Sequence, residues 1–329
     1  MPAAWNASRF RPEDPGGFYE SYFQRANHPT RPLAFWIRYT ALSPRSRPDE
    51  ARGELWAIYF DGEARRITAV KQAVPLSTCT FSRTQLDVQI DGATLTDRAL
   101  RGCAASQSHA LQWKLDYAGQ QRPLLLLPES LYERGFPKAK ALVGTPNAVY
   151  TGTLTVDGGT IPIDGWTGSQ NHNWGSRHTD RYAWGQVAGF DNAPDAFLEC
   201  STAQIKLGPL WSPCLTLVVL RDEGQEMALN GLLQAARASG TFDFFTWKID
   251  TRSPQVRISG HIHAPASAFV GLRYENPPGG NKTCLNTKLA HAEITVERPG
   301  RPSRTLVTAY RAAFEILTDR VDHGVPIVV

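Results

Sequence analysis

The chain has 329 residues, 42% of them hydrophobic. That is enough for a large core and fits two domains more naturally than one, because single cores stop growing near roughly 250–300 residues. Its 35 Lys and Arg against 31 Asp and Glu leave a net charge of +4, and the basic residues are scattered, which argues against nucleic acid and against a polybasic membrane patch. No stretch of about 18 apolar residues occurs, the start Met-Pro-Ala-Ala-Trp-Asn lacks the basic and apolar regions of a signal peptide, and the five cysteines form no C-x-x-C pair. The expectation is a soluble, cytoplasmic protein with reduced, buried thiols, no stable membrane insertion and small-molecule or protein partners.

Taken in chain order, residues 18–26 carry the apolar spacing of a short helix. Period-two alternation rich in Val, Ile, Thr, Phe, Tyr and Trp then predicts strands over 34–42, 53–61, 66–74, 85–90, 93–96, 99–104, 111–117, 123–127, 150–156 and 160–163. A helical turn is expected at 129–134. Strands resume at 181–190, 196–205, 215–220, 242–249, 256–263, 269–274, 288–297 and 305–317, with a helical pattern at 227–238. Asp61-Gly62, Asp91-Gly92 and Asp157-Gly158 are turn dipeptides of the hairpin type. So many strands, with hardly a crossover helix, exclude parallel α/β folds and predict an all-β protein of two antiparallel β-barrel domains, 1–164 and 165–329.

The stretch from Gly165 to Gln186, GWTGSQNHNWGSRHTDRYAWGQ, mixes polar and aromatic groups more densely than any other part of the chain. As a strand, 181–190 puts Tyr182, Trp184, Gln186, Ala188 and Phe190 on one face and Ala183, Gly185, Val187 and Gly189 on the other. The bare face permits close approach of a neighbour, and the large face would project an indole, a phenol and an amide into a cavity. Upstream, an extended backbone places His172, Trp174, Ser176 and His178 on one side, with Asn171, Asn173 and Arg177 on the other. As imidazoles, His172 and its neighbour His178 are the side chains of this stretch expected to exchange a proton near neutral pH. Any one Asn, His or Trp could serve to bond a buried corner, but their density points to a ligand site.

The residues Phe18-Tyr19-Glu20-Ser21-Tyr22-Phe23 resemble the F-E-G-W-Y motif of the tocopherol cyclase and carotenoid hydratase (hydroxyneurosporene synthase) family. Asn171-His172-Asn173-Trp174-Gly175, followed by Trp184 and Gln186, resembles that family's E-K-N-W-G…W-x-W-x-Q or D-H-E-W segment, and residues 150–166 resemble the strand pair preceding it. The resemblance implies two lipocalin-like barrels and an isoprenoid-type substrate in an apolar cavity. It implies chemistry without a metal or redox cofactor, in which an acid protonates an alkene and water or an internal hydroxyl captures the cation. Where the family carries an acid this chain has Asn171, which cannot donate a proton as an acid. His172 matches the family's histidine and becomes the expected proton-transfer group, unless an acid such as Asp180 or Glu20 has taken over the role.

Beside Asn171 and His172, Tyr182 and Arg177 complete the expected catalytic set. The ligand is expected to meet Trp166, Gln170, Asn173, Trp174, His178, Trp184, Gln186, Glu20, Tyr22 and Arg25. His261 and His263 share a strand face, but a third metal ligand would have to come from His172, His178 or His291, and Arg257 on that face repels a cation. A solvent face is expected there and no metal. Glu20 and Arg25 also fit a solvated pair on a helix. No phosphate loop, dinucleotide fingerprint or nucleophile elbow occurs. Two functions remain: a cofactor-independent cyclase, hydratase or isomerase acting on a hydrophobic isoprenoid-like or polycyclic molecule, or a non-catalytic carrier of one. The sequence sets no oligomeric state.

Overall fold

The computed structural model describes residues 5–11 and 16–329. It is nearly all-β, with two large antiparallel sheets, one curled into a half-barrel. The first sheet contains β1 (Phe18–Asn27), β2 (Leu33–Ser43), β3 (Arg52–Asp61), β4 (Arg66–Pro75), β5 (Thr80–Phe81), β6 (Asp87–Ile90), β7 (Ala93–Thr96), β8 (Ala99–Ala105), β9 (Ala110–Ala118), β10 (Leu124–Leu125), β11 (Ala139–Val156) and β12 (Gly159–Gly175). After β13 (Arg181–Phe190) and β14 (Ala193–Gln204), β15 (Lys206–Leu207) and β16 (Leu210–Trp211) form a separate ribbon. The second sheet combines β13 and β14 with β17 (Leu215–Asp222), β18 (Gln225–Leu229), β19 (Ser239–Asp243), β20 (Thr246–Arg252), β21 (Arg257–His263), β22 (Val270–Glu275), β23 (Asn281–Glu297) and β24 (Arg304–Thr318).

Both sheets follow one plan. Their first and last strands pair at the centre, β1 with β12 and β13 with β24, and the strands between fan out to either side. Gly165 lies inside β12, which pairs with β11 on both sides of that residue, and the chain passes from one sheet to the other between Gly175 and Arg181. Strand alternation then makes three apolar layers. Phe35, Ile37, Leu55, Trp113 and Trp166 fill the first sheet, and Val187, Trp247, Phe314 and Ile316 fill the second. Phe23, Trp36, Trp56, Trp184, Leu272 and Tyr274 meet in a seam between them. Asp91-Gly92 and Asp157-Gly158 turn with both residues at positive φ, as two-residue hairpins of this twist require.

Several sequence expectations are corrected. Residues 18–26 are strand β1, not a helix: β1 runs between β2 and β12 and is buried on both faces, so its apolar residues do not alternate. Glu20 and Arg25 are accordingly buried and point to opposite sides rather than forming a solvated helical pair. Of the helical pattern at 227–238, residues up to Leu229 extend β18 and only α1 (Leu232–Arg237) is helical; at 129–134 the structure has a 3-10 turn, Glu129–Leu131. The strand expected at 242–249 is broken into β19 and β20 by a turn with Phe245 at positive φ. Phe190 leaves the Tyr182–Ala188 face, because an irregularity at Gly189 (φ 70°) turns it into the second sheet's core. All five thiols are free, but only Cys200 and Cys284 are buried.

Candidate functional site

The seam between the sheets holds a cavity of about 190 Å³. Alternation decides what faces it. Odd-numbered residues of β1 (Tyr19, Phe23), even-numbered residues of β2 (Trp36, Arg38) and even-numbered residues of β13 (Tyr182, Trp184) turn towards it. Ser201 and Ala203 of β14, Leu215 and Leu217 of β17, Tyr274 of β22 and Glu315 of β24 also line it, together with His178, Asn173 and the loop at Leu126, Leu127 and Leu131. The opposite, bare face of β13 meets the second sheet's own core: a Cβ on Gly185 would lie 2.5 Å from Ile262 and 2.9 Å from Trp247.

Among the described residues, Glu315 is the only carboxylate lining the cavity. Its Oε1 accepts from Lys288 Nζ (2.8 Å) and from Asn286 Nδ2 (2.8 Å), and Lys288 also donates to Asn286 Oδ1 (2.6 Å). The Lys288 side chain is 0% exposed and that of Glu315 10%, so the carboxylate stands between a buried ammonium and the cavity. Burial lowers the pKa of Lys288, against the opposing pull of Glu315. Lys288 Nζ also lies 5.5 Å from the Trp184 ring centroid and 5.7 Å from that of Trp36. Burial raises the pKa values of Tyr19, Tyr182 and Tyr274, which therefore face the cavity as phenols. His178 lies against Tyr19 with its ring tilted (4.1 Å between centroids) and donates through Nε2 to the Glu275 carbonyl oxygen (3.2 Å). Burial, followed by the Arg38 charge, pushes its pKa down to about 3, so its ring is neutral.

Behind Trp184 lies a closed polar cluster. The indole donates to Glu199 Oε1 (2.7 Å), and Gln186 Nε2 donates to Glu199 Oε2 (2.7 Å) and Asn171 Oδ1 (2.8 Å). Gln186 Oε1 in turn accepts from Arg25 Nε (2.7 Å) and Ser169 Oγ (2.6 Å). Burial raises the Glu199 pKa to about 7, opposed by the bonds from Trp184 and Gln186. Burial likewise lowers that of Arg25 to about 10.

A second closed cluster lies on the other side of β1 and β12. His172 Nε2 is 2.7 Å from Glu20 Oε1 and its Nδ1 3.2 Å from the Trp5 carbonyl oxygen. The ring is sandwiched by Tyr22 (4.2 Å) and Trp174 (4.6 Å). Glu20 accepts further bonds from Ser8 Oγ (2.6 Å) and from the backbone N–H groups of Arg9 (2.7 Å) and Phe10 (2.9 Å). Burial raises its pKa, but these bonds and His172 outweigh that, and the net shift is downward.

The structure thus distributes the expected site residues over several places. Tyr182, Trp184, Asn173 and His178 line the cavity. Asn171, Gln186 and Arg25 form the cluster behind Trp184, while His172, Glu20, Tyr22 and Trp174 form the cluster across β1 and β12. Gln170 accepts from Asn6 (2.7 Å), Trp166 packs in the first sheet's core, and Arg177 is a half-exposed partner of Asp180. His178 parts from His172 because β12 ends at Gly175. Arg38, Lys288, Glu315, Glu199, Tyr19 and Tyr274 were missed. The available signal was the charged residue inside an apolar strand pattern, as in Leu33–Ser43 and Arg304–Thr318.

Outside the cavity, His261 and His263 on β21 are joined by His291 on β23, which sits opposite His263. Their ligand nitrogens lie within 4.8 Å of one another and could hold a cation if the rings turned inward to Zn–N distances of about 2.0–2.1 Å. Arg257 is drawn away by Asp250 (2.7 Å) and Glu297 (3.0 Å). None of the three histidines lines the cavity.

No family model matches the chain. Two uncharacterized proteins of Mycobacterium tuberculosis, from strains CDC 1551 / Oshkosh and H37Rv, are each 24% identical to it over 298 residues, covering 89% of this chain and 85% of theirs. The fold is shared with kievitone hydratase from Nectria haematococca (TM-score 0.55, 11% identity, 97% and 94% of the two chains) and with CghA bound to Sch210972 (TM-score 0.56, 12% identity, 92% and 89%). It is shared also with a protein of Nitrosomonas europaea described as an AttH (TM-score 0.56, 13% identity, 93% and 92%). Among the described residues no helix is long and apolar enough to cross a membrane.

Proposed function

We propose that the protein is an enzyme of the lyase or isomerase type that takes a hydrophobic, isoprenoid-like or polycyclic small molecule into the seam cavity and hydrates, cyclises or isomerises it by proton transfer. One observation carries this reading: a largely apolar cavity receives, among the described residues, a single carboxylate, Glu315, whose far side is bonded to a buried lysine. Such a pair can take a proton from a substrate carbon or hydroxyl at Glu315 and return it elsewhere on the same molecule, with Lys288 adjusting the charge behind it. The Trp184, Trp36 and Phe23 rings offer π faces to positive charge developing on the substrate, worth about 0.5–2 kcal/mol each. Tyr182 and Tyr274 supply hydroxyl groups to an oxygen. The fold shared with a hydratase and with a protein that holds Sch210972 supports the same reading.

The test is to incubate the protein with extracts of apolar metabolites and follow them by mass spectrometry. The wild type should deplete one compound and produce an isomer or a species heavier by one water, and Glu315→Gln should slow this by roughly 10²–10⁴-fold while still retaining the compound. Retention without conversion by both would instead establish a carrier, the reading that the cavity's largely apolar lining favours.

A further inference from the structure

Among the described residues, two cations line the cavity, and neither has an anion: Lys140 is bonded to the carbonyl oxygens of Arg134 and Pro137, whereas Arg38 has neither a carboxylate nor a hydrogen bond at its Nε. It sits on β2, opposite Phe23 and Trp56 in the register, with its side chain turned into the seam. It is 7% exposed, has no carboxylate within ion-pair distance among the described residues, and its Nε has no hydrogen-bond partner. Its contacts are ring faces, Tyr274 at 4.6 Å and Trp56 and Trp36 at about 6 Å. The other deeply buried cations of the seam are all answered: Lys288 by Glu315, Arg25 by Gln186 and Asn27, Arg311 by Asp191 and the Gly189 carbonyl. Glu54, which lies on neighbouring β3, is already engaged by Arg52 (2.9 Å), Lys71 (3.0 Å) and the Trp56 indole (3.1 Å). A second donor beside Arg38, the Trp36 Nε1–H, is also buried without a partner and belongs to a cavity-lining residue.

Burying an unpaired guanidinium is costly, and a fold keeps one where something outside the chain completes it. We propose that the molecule entering the cavity carries a negatively charged oxygen group, a carboxylate or an enolate, and that Arg38 with the Trp36 N–H receives it while the apolar remainder lies against Phe23, Trp184 and Leu217. The inference rests on the cavity being the binding site and adds the chemical class of what it binds. Arg38 is then a specificity residue, placed on the Tyr19–His178–Tyr274 side of the cavity. The positive field it casts there is already felt: after burial, its charge helps lower the pKa of His178, and it opposes the rise that burial imposes on Tyr19.

A matched pair of fluorescent probes tests this: 1-anilinonaphthalene-8-sulfonate and N-phenyl-1-naphthylamine, the same skeleton with and without the anion. The wild type should bind the sulfonate more tightly, and more so at low salt. Arg38→Met should weaken the sulfonate by roughly 10- to 100-fold and leave the neutral probe within about twofold, and Arg38→Lys should recover part of the loss. Trp184→Ala should weaken both probes. Because the charge is unpaired in the free protein, Arg38→Met should keep or raise the thermal midpoint, with Arg38→Gln as a second variant if the methionine does not fold. Equal weakening of the two probes by both Arg38 variants, or no change in either, would overturn the anion site. Indifference of both probes to Trp184→Ala would overturn the cavity reading beneath it, and the inference with it.

Discussion

Two polar regions flank β1, and they are built on opposite principles. Around His172 and Glu20 the carboxylate oxygens and both ring nitrogens have partners, the side chains are wholly buried, and the aromatic rings serve as packing on either side of the imidazole. Around Arg38 the groups are nearly as buried, yet the guanidinium and the Trp36 indole are left with unused donors, and the nearest aromatic groups frame an empty space. The first arrangement closes its bonding within the chain and the second does not. The dense polar and aromatic stretch 165–186 therefore supplies both closed clusters and part of the cavity lining, and unused donors are what set the cavity apart from the clusters.

The largest effects should come from breaking the closed clusters. His172→Ala removes the imidazole partner of the buried Glu20 carboxylate, which keeps Ser8 and the backbone N–H groups of Arg9 and Phe10, and empties a ring-sized volume; it should cost about 3 kcal/mol in chemical denaturation, with N-phenyl-1-naphthylamine affinity in the folded protein unchanged. Trp184→Ala should cost about 3 kcal/mol, since it empties an indole-sized volume and leaves Glu199 short of a donor, but here the probe's affinity should fall as well. Lys288→Met should destabilise more than Lys288→Met combined with Glu315→Leu, because the single variant leaves the carboxylate uncompensated.

How much of this was legible in the sequence follows from how each feature is encoded. The hairpins at Asp91-Gly92 and Asp157-Gly158 and the two-faced pattern of β13 are local, and period two with turn chemistry sufficed to place them. β1 was read as a helix because a central strand buried on both sides has no polar face to reveal its period. The shared plan of the two sheets left no repeat in the sequence, since it resides in which strands pair, not in which residues recur. The cavity was illegible for a related reason. Arg38, Tyr182, Lys288 and Glu315 come from four strands in both halves of the chain; Asn286 and Lys288 share the seam face by alternation, and an irregularity of β23 between Thr287 and Ala290 then turns Ala290 into the core.

Effects of pH and of metal sharpen the contrast further. Glu199 has its folded pKa raised to about 7 from an ordinary value of 4.5, so it binds a proton that the unfolded chain releases. Its contribution to stability is full below pH 4.5 and is lost as pH rises towards 7, by about 3 kcal/mol. Glu199→Gln should flatten that decline in denaturation curves taken across the window. The histidine trio should matter least to the cavity: adding zinc or a chelator should leave N-phenyl-1-naphthylamine affinity within about twofold, because none of its rings reaches the lining.

The central claim is that chemistry belongs to the unfinished region. Its most direct test is turnover of the compound identified by mass spectrometry, measured side by side for Glu315→Gln and His172→Gln in protein shown to be folded. A loss of roughly 10²–10⁴-fold for Glu315→Gln, with His172→Gln within a few-fold of wild type, is the predicted result. The reverse order, with His172→Gln inactive and Glu315→Gln nearly normal, would contradict the account and place the proton transfer at the His172–Glu20 pair.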